Sequence, residues 1–228
     1  MEQTFLGFDV QTRRKTAWMA LNSGLHMIEA GWLEGDEHQE IGASAARVAM
    51  NLQKEHASTI IAGIDAPRSP LPSPREFYWS GKRDKWRPRR TSEVGNGRHC
   101  EVIVKAAGIA NPQWTPIAGH CPEWMELGFA LFQALEANGI TTHEVFPSAS
   151  YQMLEGAHHA PIRLNFSAFR PGAKDMIDAC VAAYTVLEFD QGRGCEIGDD
   201  GLGSIVLPRP LPDTVSPELF RYPRSGSE

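Results

Sequence analysis

Short apolar runs separated by polar turns dominate the first part of the chain. Residues 4–10, 15–21 and 25–33 each read as a strand, and Asn22-Ser23-Gly24 suits a hairpin connection between the second and third. The period then lengthens. Ala46, Val48, Ala49 and Leu52 supply the apolar positions of a helix over 42–55. Residues 59–64 follow, continuously apolar after the first, as expected of a strand buried on both faces in an α/β sheet.

From 67 to 97 the periodicity lapses, with Pro67, Pro70, Pro72, Pro74 and Pro88 in a loop too long to be a plain connection. It returns as a short helix over 98–107. A longer helix starts with Pro122 at a first-turn position and ends at Asn138-Gly139, with Trp124, Leu127, Gly128, Leu131 and Leu135 as its buried stripe. A strand at 141–147, one or two helical turns at 149–155, a helix from 173 to 189 and an edge strand at 201–208 complete the pattern. Ile177, Val181, Tyr184 and Leu187 are the expected core stripe of the last helix.

Three antiparallel strands, a crossover helix and a buried strand are the opening topology of the ribonuclease H-like fold. The expected architecture is therefore α/β, a central mixed sheet flanked by helices. At 228 residues, one domain over 1–210 with an inserted loop and helical region at about 67–140 is expected, followed by an irregular tail over 211–228.

An apolar fraction of 42% with 22% charged residues is that of a globular protein in water, and no run approaches the apolar length that spans a bilayer. The N-terminus enters a strand without the basic stretch and apolar core of a signal peptide, so a cytoplasmic location is expected. Cys100, Cys121, Cys180 and Cys195 show neither metal-ligand nor disulfide-framework spacing and are expected to be free thiols. A net charge of −6 argues against nucleic-acid affinity from the whole-protein field. Locally the balance reverses: Arg75, Lys82, Arg83, Lys85, Arg87, Arg89 and Arg90 are interleaved with Phe77, Tyr78, Trp79 and Trp86. Lys82, Arg83, Arg87 and Arg89 are thus candidate phosphate contacts, and a solvated Pro/Gly-rich loop is the plainer alternative.

The chemistry lies in the acids. Asp9 closes the run Phe5-Leu6-Gly7-Phe8, and Asp65 closes Ile60-Ile61-Ala62-Gly63-Ile64. Glu144 lies in an extended stretch ending at Pro147, and Asp175 and Asp178 stand three apart at a helix start. An acid at the end of an apolar strand is costly to desolvate unless it is paired or binds a cation. Each alone also fits a structural role: a turn or cap for Asp9 and Asp65, an edge-strand position for Glu144, the helix dipole for Asp175. Together they suit a hard-cation site of the kind that supports phosphoryl hydrolysis.

The motifs Gly7-Phe8-Asp9, Ala62-Gly63-Ile64-Asp65-Ala66-Pro67, Arg98-His99-Cys100-Glu101 with Gly108-Ile109, Glu144-Val145-Phe146-Pro147, Lys174-Asp175-Met176-Ile177-Asp178-Ala179 and Ile205-Val206-Leu207-Pro208 occur in this order. The ordered set resembles the predicted nucleases of ribonuclease H-like fold known as domain of unknown function four-two-nine. The resemblance implies a nuclease that uses Mg²⁺ or Mn²⁺ on DNA or RNA, with Asp9, Asp65, Glu144 and Asp178 as catalytic metal ligands and Asp175 as a further ligand. Arg98 with Glu101 matches a family motif, as a pair that positions the site or as a phosphate contact. Lys174 is a second candidate phosphate contact, or simply an exposed helix-start lysine. Two other functions stay open: a non-catalytic binding module of the same fold, and an actin-like phosphotransferase. The second is opposed by Asp9-Val10-Gln11-Thr12, which lacks the glycine of a phosphate turn.

Overall fold

The computed structural model describes residues 2–95, 97–154, 172–198 and 200–223. Position 155 of the expected 149–155 turns and positions 224–228 of the expected tail lie outside the described residues.

Strands β1 (Glu2–Asp9), β2 (Ala17–Asn22) and β3 (Met27–Trp32) form an antiparallel meander. Helix α1 (His38–His56) then crosses over to β4 (Ser58–Ile64), which pairs in parallel with β1. Strand β7 (Thr141–Glu144) adds in parallel beyond β4, giving a five-stranded mixed sheet in the order β3-β2-β1-β4-β7. The fold is α/β. Helix α1 begins four residues earlier than its apolar pattern, because the Glu40 carboxylate accepts the backbone N–H of Asp36 at 3.0 Å and caps the first turn.

Alternation along the strands divides the core in two. On one face Leu6, Phe8, Ala62 and Ile64 pack against Ala45, Ala49 and Leu52 of α1 and Leu127, Leu131 and Leu135 of α3 (Glu123–Ala137). On the other, Phe5, Met19, Leu21 and Ile61 pack against α5 (Ala173–Asp190). A third cluster joins α2 (His99–Ala106), α4 (Pro147–Leu154) and the hairpin β8–β9 (Cys195–Ile197, Ile205–Leu207), with Val206 bridging to Val145 at the end of β7.

Helix α5 does not use quite the stripe expected of it. Ile177 is 37% exposed, and the sheet is met instead by Ala179, Ala182 and Ala183. The reason is proximity: a Cβ on Gly7 of β1 would overlap the Ala179 carbonyl oxygen, and one on Gly63 of β4 would lie 2.7 Å from that of Ala182. Gly7→Ala is expected to cost roughly 2–3 kcal/mol by overpacking, read as a lower urea midpoint. An unchanged midpoint would show that the helix yields freely.

The loop expected over 67–97 contains a hairpin, β5 (Phe77–Ser80) with β6 (Lys85–Pro88), in which Trp79 pairs with Trp86. The indoles meet edge-on at 5.4 Å, a cross-strand aromatic pair that needs no periodicity around it. Beyond Pro208 the chain forms one 3-10 turn, Pro217–Phe220, whose Pro217 carbonyl lies 2.9 Å from His99 Nε2. Among the described residues, no helix is long and apolar enough to cross a membrane.

Candidate functional site

The parallel strands β1, β4 and β7 end on one edge, where open α/β sheets present their sites. Phe8 lies in register with Ile64, and the Asp65 N–H extends that ladder by donating to the Phe8 carbonyl at 3.0 Å. Asp9 and Asp65 therefore stand side by side. Phe8 and Ile64 point into the α1–α3 core, so alternation turns the two acids toward α5. The first turns of α5 carry Lys174, Asp175 and Asp178, all of which interact electrostatically with Asp9.

Burial pushes the Asp9 carboxyl up to about 7, with Asp178 and Asp175 adding to the rise and the Gln11 amide, 3.1 Å away, and Lys174 opposing it. Asp65, only partly reached by solvent, rises well above the usual carboxylate range, first through burial and then through Asp9 and Asp178. The helical acids are better compensated. Asp178 accepts the Tyr151 hydroxyl at 2.7 Å and the Lys174 ammonium; Asp175 accepts Arg14 Nη2 at 2.8 Å, while among the described residues its buried Oδ2 has no partner.

Glu144 is placed differently. It shares its register with Ile64, on the α1–α3 face, whereas its neighbour Val145 belongs to the α5-side core. Its oxygens accept Arg98 Nη1 at 2.8 Å, Arg98 Nη2 at 2.6 Å and the Arg68 N–H at 3.1 Å. Arg98 in turn donates from Nε to Glu101 at 2.8 Å, and Glu101 also accepts the Thr115 N–H at 3.1 Å. Of the two roles open to Arg98, the structure shows a buried Arg–Glu pair at the site's flank. At 2% exposure it has no face for a phosphate. A cavity of about 50 Å³ lined by Asp65, Arg98, Glu101 and Glu144 separates this ion group from Asp65, with room for a water or two.

The remaining sequence candidates fall into two groups. Lys174 is engaged by Asp178, although its side chain is 79% exposed. In the hairpin, Arg87 is held by Glu93 at 2.5 and 2.8 Å, Arg89 donates to the Glu93 carbonyl at 3.0 Å, and Lys82 and Arg83 are exposed at the turn. Three of the hairpin's four aromatics face inward: Trp86 and Phe77 meet Tyr222 edge-on at 5.1 and 6.0 Å, and Trp79 meets Phe220 at 5.8 Å, while Tyr78 carries Arg87 over its ring. The three clamp the C-terminal segment rather than offer faces to bases.

Two neighbours of the acids are not among the residues that the sequence pattern singles out. Tyr151 reaches Asp178 from α4, and nothing in the pattern marks it. Arg13-Arg14-Lys15, three consecutive cations shortly after the first acid, is a visible signal in the β1–β2 turn. Among the described residues, no set of three or more His, Cys, Asp or Glu side chains is arranged to hold a metal ion. The chain matches no family model, and no curated protein or solved structure matches it.

Proposed function

We propose that the chain is a divalent-metal-dependent nuclease of ribonuclease H-like fold, hydrolysing phosphodiester bonds of DNA or RNA. The observation that carries this reading is the side-by-side placement of Asp9 and Asp65 on neighbouring parallel strands, facing Asp178 of α5. The donor set is all oxygen, as Mg²⁺ or Mn²⁺ requires. Its charge is also unbalanced: Asp9 and Asp65 are pushed up toward protonation, and Lys174 is the cation that opposes this for both. The buried Oδ2 of Asp175, without a partner among the described residues, belongs to the same deficit of positive charge. The donor chemistry suits a divalent cation, which would have to draw the carboxylates together, since among the described residues they are not preset around one.

Asp9, Asp65 and Asp178 would hold it, with Asp175 beside them, and Glu144 stands outside the set because Arg98 occupies its carboxylate. When bound, the ion supplies Lewis acidity at a phosphoryl oxygen and a more acidic water. The protein's part is to keep the acids together. Tyr151 orients Asp178, Arg14 anchors Asp175, and the Arg98 group fixes the ends of β4 and β7. The Lys174–Asp178 ion pair favours a second reading, in which lysine permanently takes the cation's place and the fold is a binding module.

Cleavage of labelled single-stranded, duplex and branched DNA and RNA with Mn²⁺ decides between them. The wild type is expected to cleave at least one substrate, and Asp65→Asn to fall to the no-enzyme background with its circular dichroism unchanged. Activity surviving in Asp65→Asn would identify a contaminant. Inactivity on every substrate would favour the binding module.

A further inference from the structure

Resting on the nuclease reading, we propose that the β1–β2 turn and the indole of Trp32 form a nucleotide subsite beside the acids, one that selects single-stranded nucleic acid. A pocket of about 460 Å³ opens there, lined among the described residues by Arg14, Lys15, Trp32 and Gly172. That is within the roughly 300–1,000 Å³ of small-molecule sites.

Its parts match the two halves of a nucleotide. Arg14 and Lys15 have side chains 59% and 56% exposed, and Arg13 beside them is exposed as well. Arg14 uses Nη2 on Asp175, and Lys15 meets Glu34, itself 70% exposed, at 2.6 Å. An ion pair so open to water is weak, and both cations keep donors for a phosphate.

Trp32 is half-buried, packed on one side against the α5 core, and among the described residues the indole also lines the pocket. Gly172, at φ 99°, holds this arrangement: a Cβ there would lie 2.6 Å from Cη2 of the indole. The Arg14–Asp175 pair ties the pocket to the helical turn that carries Asp178. Phosphate bound at the turn is thereby placed next to the acids.

The selection follows from stacking. An indole can receive a base only when that base is not already stacked in a duplex, and cations beside an aromatic face are how single strands are held irrespective of sequence. The hairpin offers cations too, but Phe77, Trp79 and Trp86 are spent on one another and on Tyr222 and Phe220, and Tyr78 already carries Arg87 over its ring at 5.2 Å.

The test is fluorescence anisotropy of labelled oligothymidine, oligouridine and a short duplex, in EDTA so that binding is read without cleavage. Wild type is expected to prefer the single strands. Trp32→Leu should bind them about tenfold more weakly, and Trp32→Phe, which keeps a ring, should recover most of the loss. Lys15→Gln should reduce the slope of log affinity against log salt by about 0.7. The charge-matched Lys54→Gln on α1 should leave that slope unchanged. Binding that ignores both Trp32→Leu and Lys15→Gln overturns the proposal. So does duplex bound as tightly as single strand, a Lys54→Gln effect equal to that of Lys15→Gln, or a wild type that binds no single strand. Single-strand binding without cleavage under Mn²⁺ would sink the nuclease reading alone, whereas cleavage indifferent to Trp32 would sink only the subsite.

Discussion

Arg98→Met is expected to lower stability by roughly 3–5 kcal/mol, the range for removing one partner of a buried ion group. Arg98, Glu101 and Glu144 are 2%, 1% and 5% exposed, and one guanidinium serves both carboxylates. Methionine keeps much of the side chain's volume but none of its charge. Two acids are then buried without a cation, and among the described residues one oxygen of Glu101 already has no partner. The loss should shrink as the pH is lowered, because burial already pushes the Glu144 carboxyl up and protonating it removes orphaned charge. The triple variant with Glu101→Gln and Glu144→Gln should recover a substantial part of it. Urea titrations at neutral and acidic pH check both expectations. A loss below about 1 kcal/mol would mean that water in the adjoining cavity already carries the acids.

The topology was legible because the strands differ in kind. β1 and β4 are nearly unbroken apolar runs, and the parallel pairing that puts their last residues together follows once a helix lies between them. The hairpin β5–β6 was not legible: its stability comes from Trp79, Trp86 and the distant Phe220 and Tyr222, which no local window contains. In α5 the helix itself was visible but its contact face was not. Periodicity pointed to the large residues, while the crossing over Gly7 and Gly63 requires the small ones. Burial all round from Asp178 to Glu188 leaves that stretch no polar face to fix the phase.

The acids show the same division. Asp9, Asp65 and Asp178 fall together because two strand ends and one helix start are set by elements visible in the sequence. Glu144 stands apart from them, reaching Asp65 only across the shared cavity: Arg98 holds its carboxylate, and its level in the sheet matches Ile64, not Asp65. A shift of one residue decides which face a side chain takes, and composition carries no information about register. The partners of the acids were equally hidden. Arg14 and Tyr151 reach Asp175 and Asp178 across gaps of 161 and 27 residues.

Asp9→Asn is expected to stabilise the protein at pH 8 and to make little difference near pH 4. The sign follows from the raised carboxyl, at about 7 in the folded chain against 3.8 for the free side chain. Below 3.8 both states hold the proton and Asp9 costs nothing. As pH rises the unfolded chain ionises first, so stability falls, and the loss is complete once the folded carboxyl has ionised near 7. The full penalty is on the order of 4 kcal/mol, since a tenfold change in proton affinity is worth about 1.4 kcal/mol. Asp65, raised through the same cluster, adds to the slope in the same direction. Asparagine keeps the shape and removes the charge, so the variant should be flatter between pH 4 and 8, and inactive if Asp9 holds a metal ion. Millimolar Mn²⁺ should relieve the same penalty in the wild type, by binding the folded chain, and should do little for the variant. Denaturant midpoints at several pH values, with and without Mn²⁺, test each step. Parallel pH profiles for the two proteins would mean that Asp9 titrates normally, and equal Mn²⁺ shifts would mean that the ion binds elsewhere.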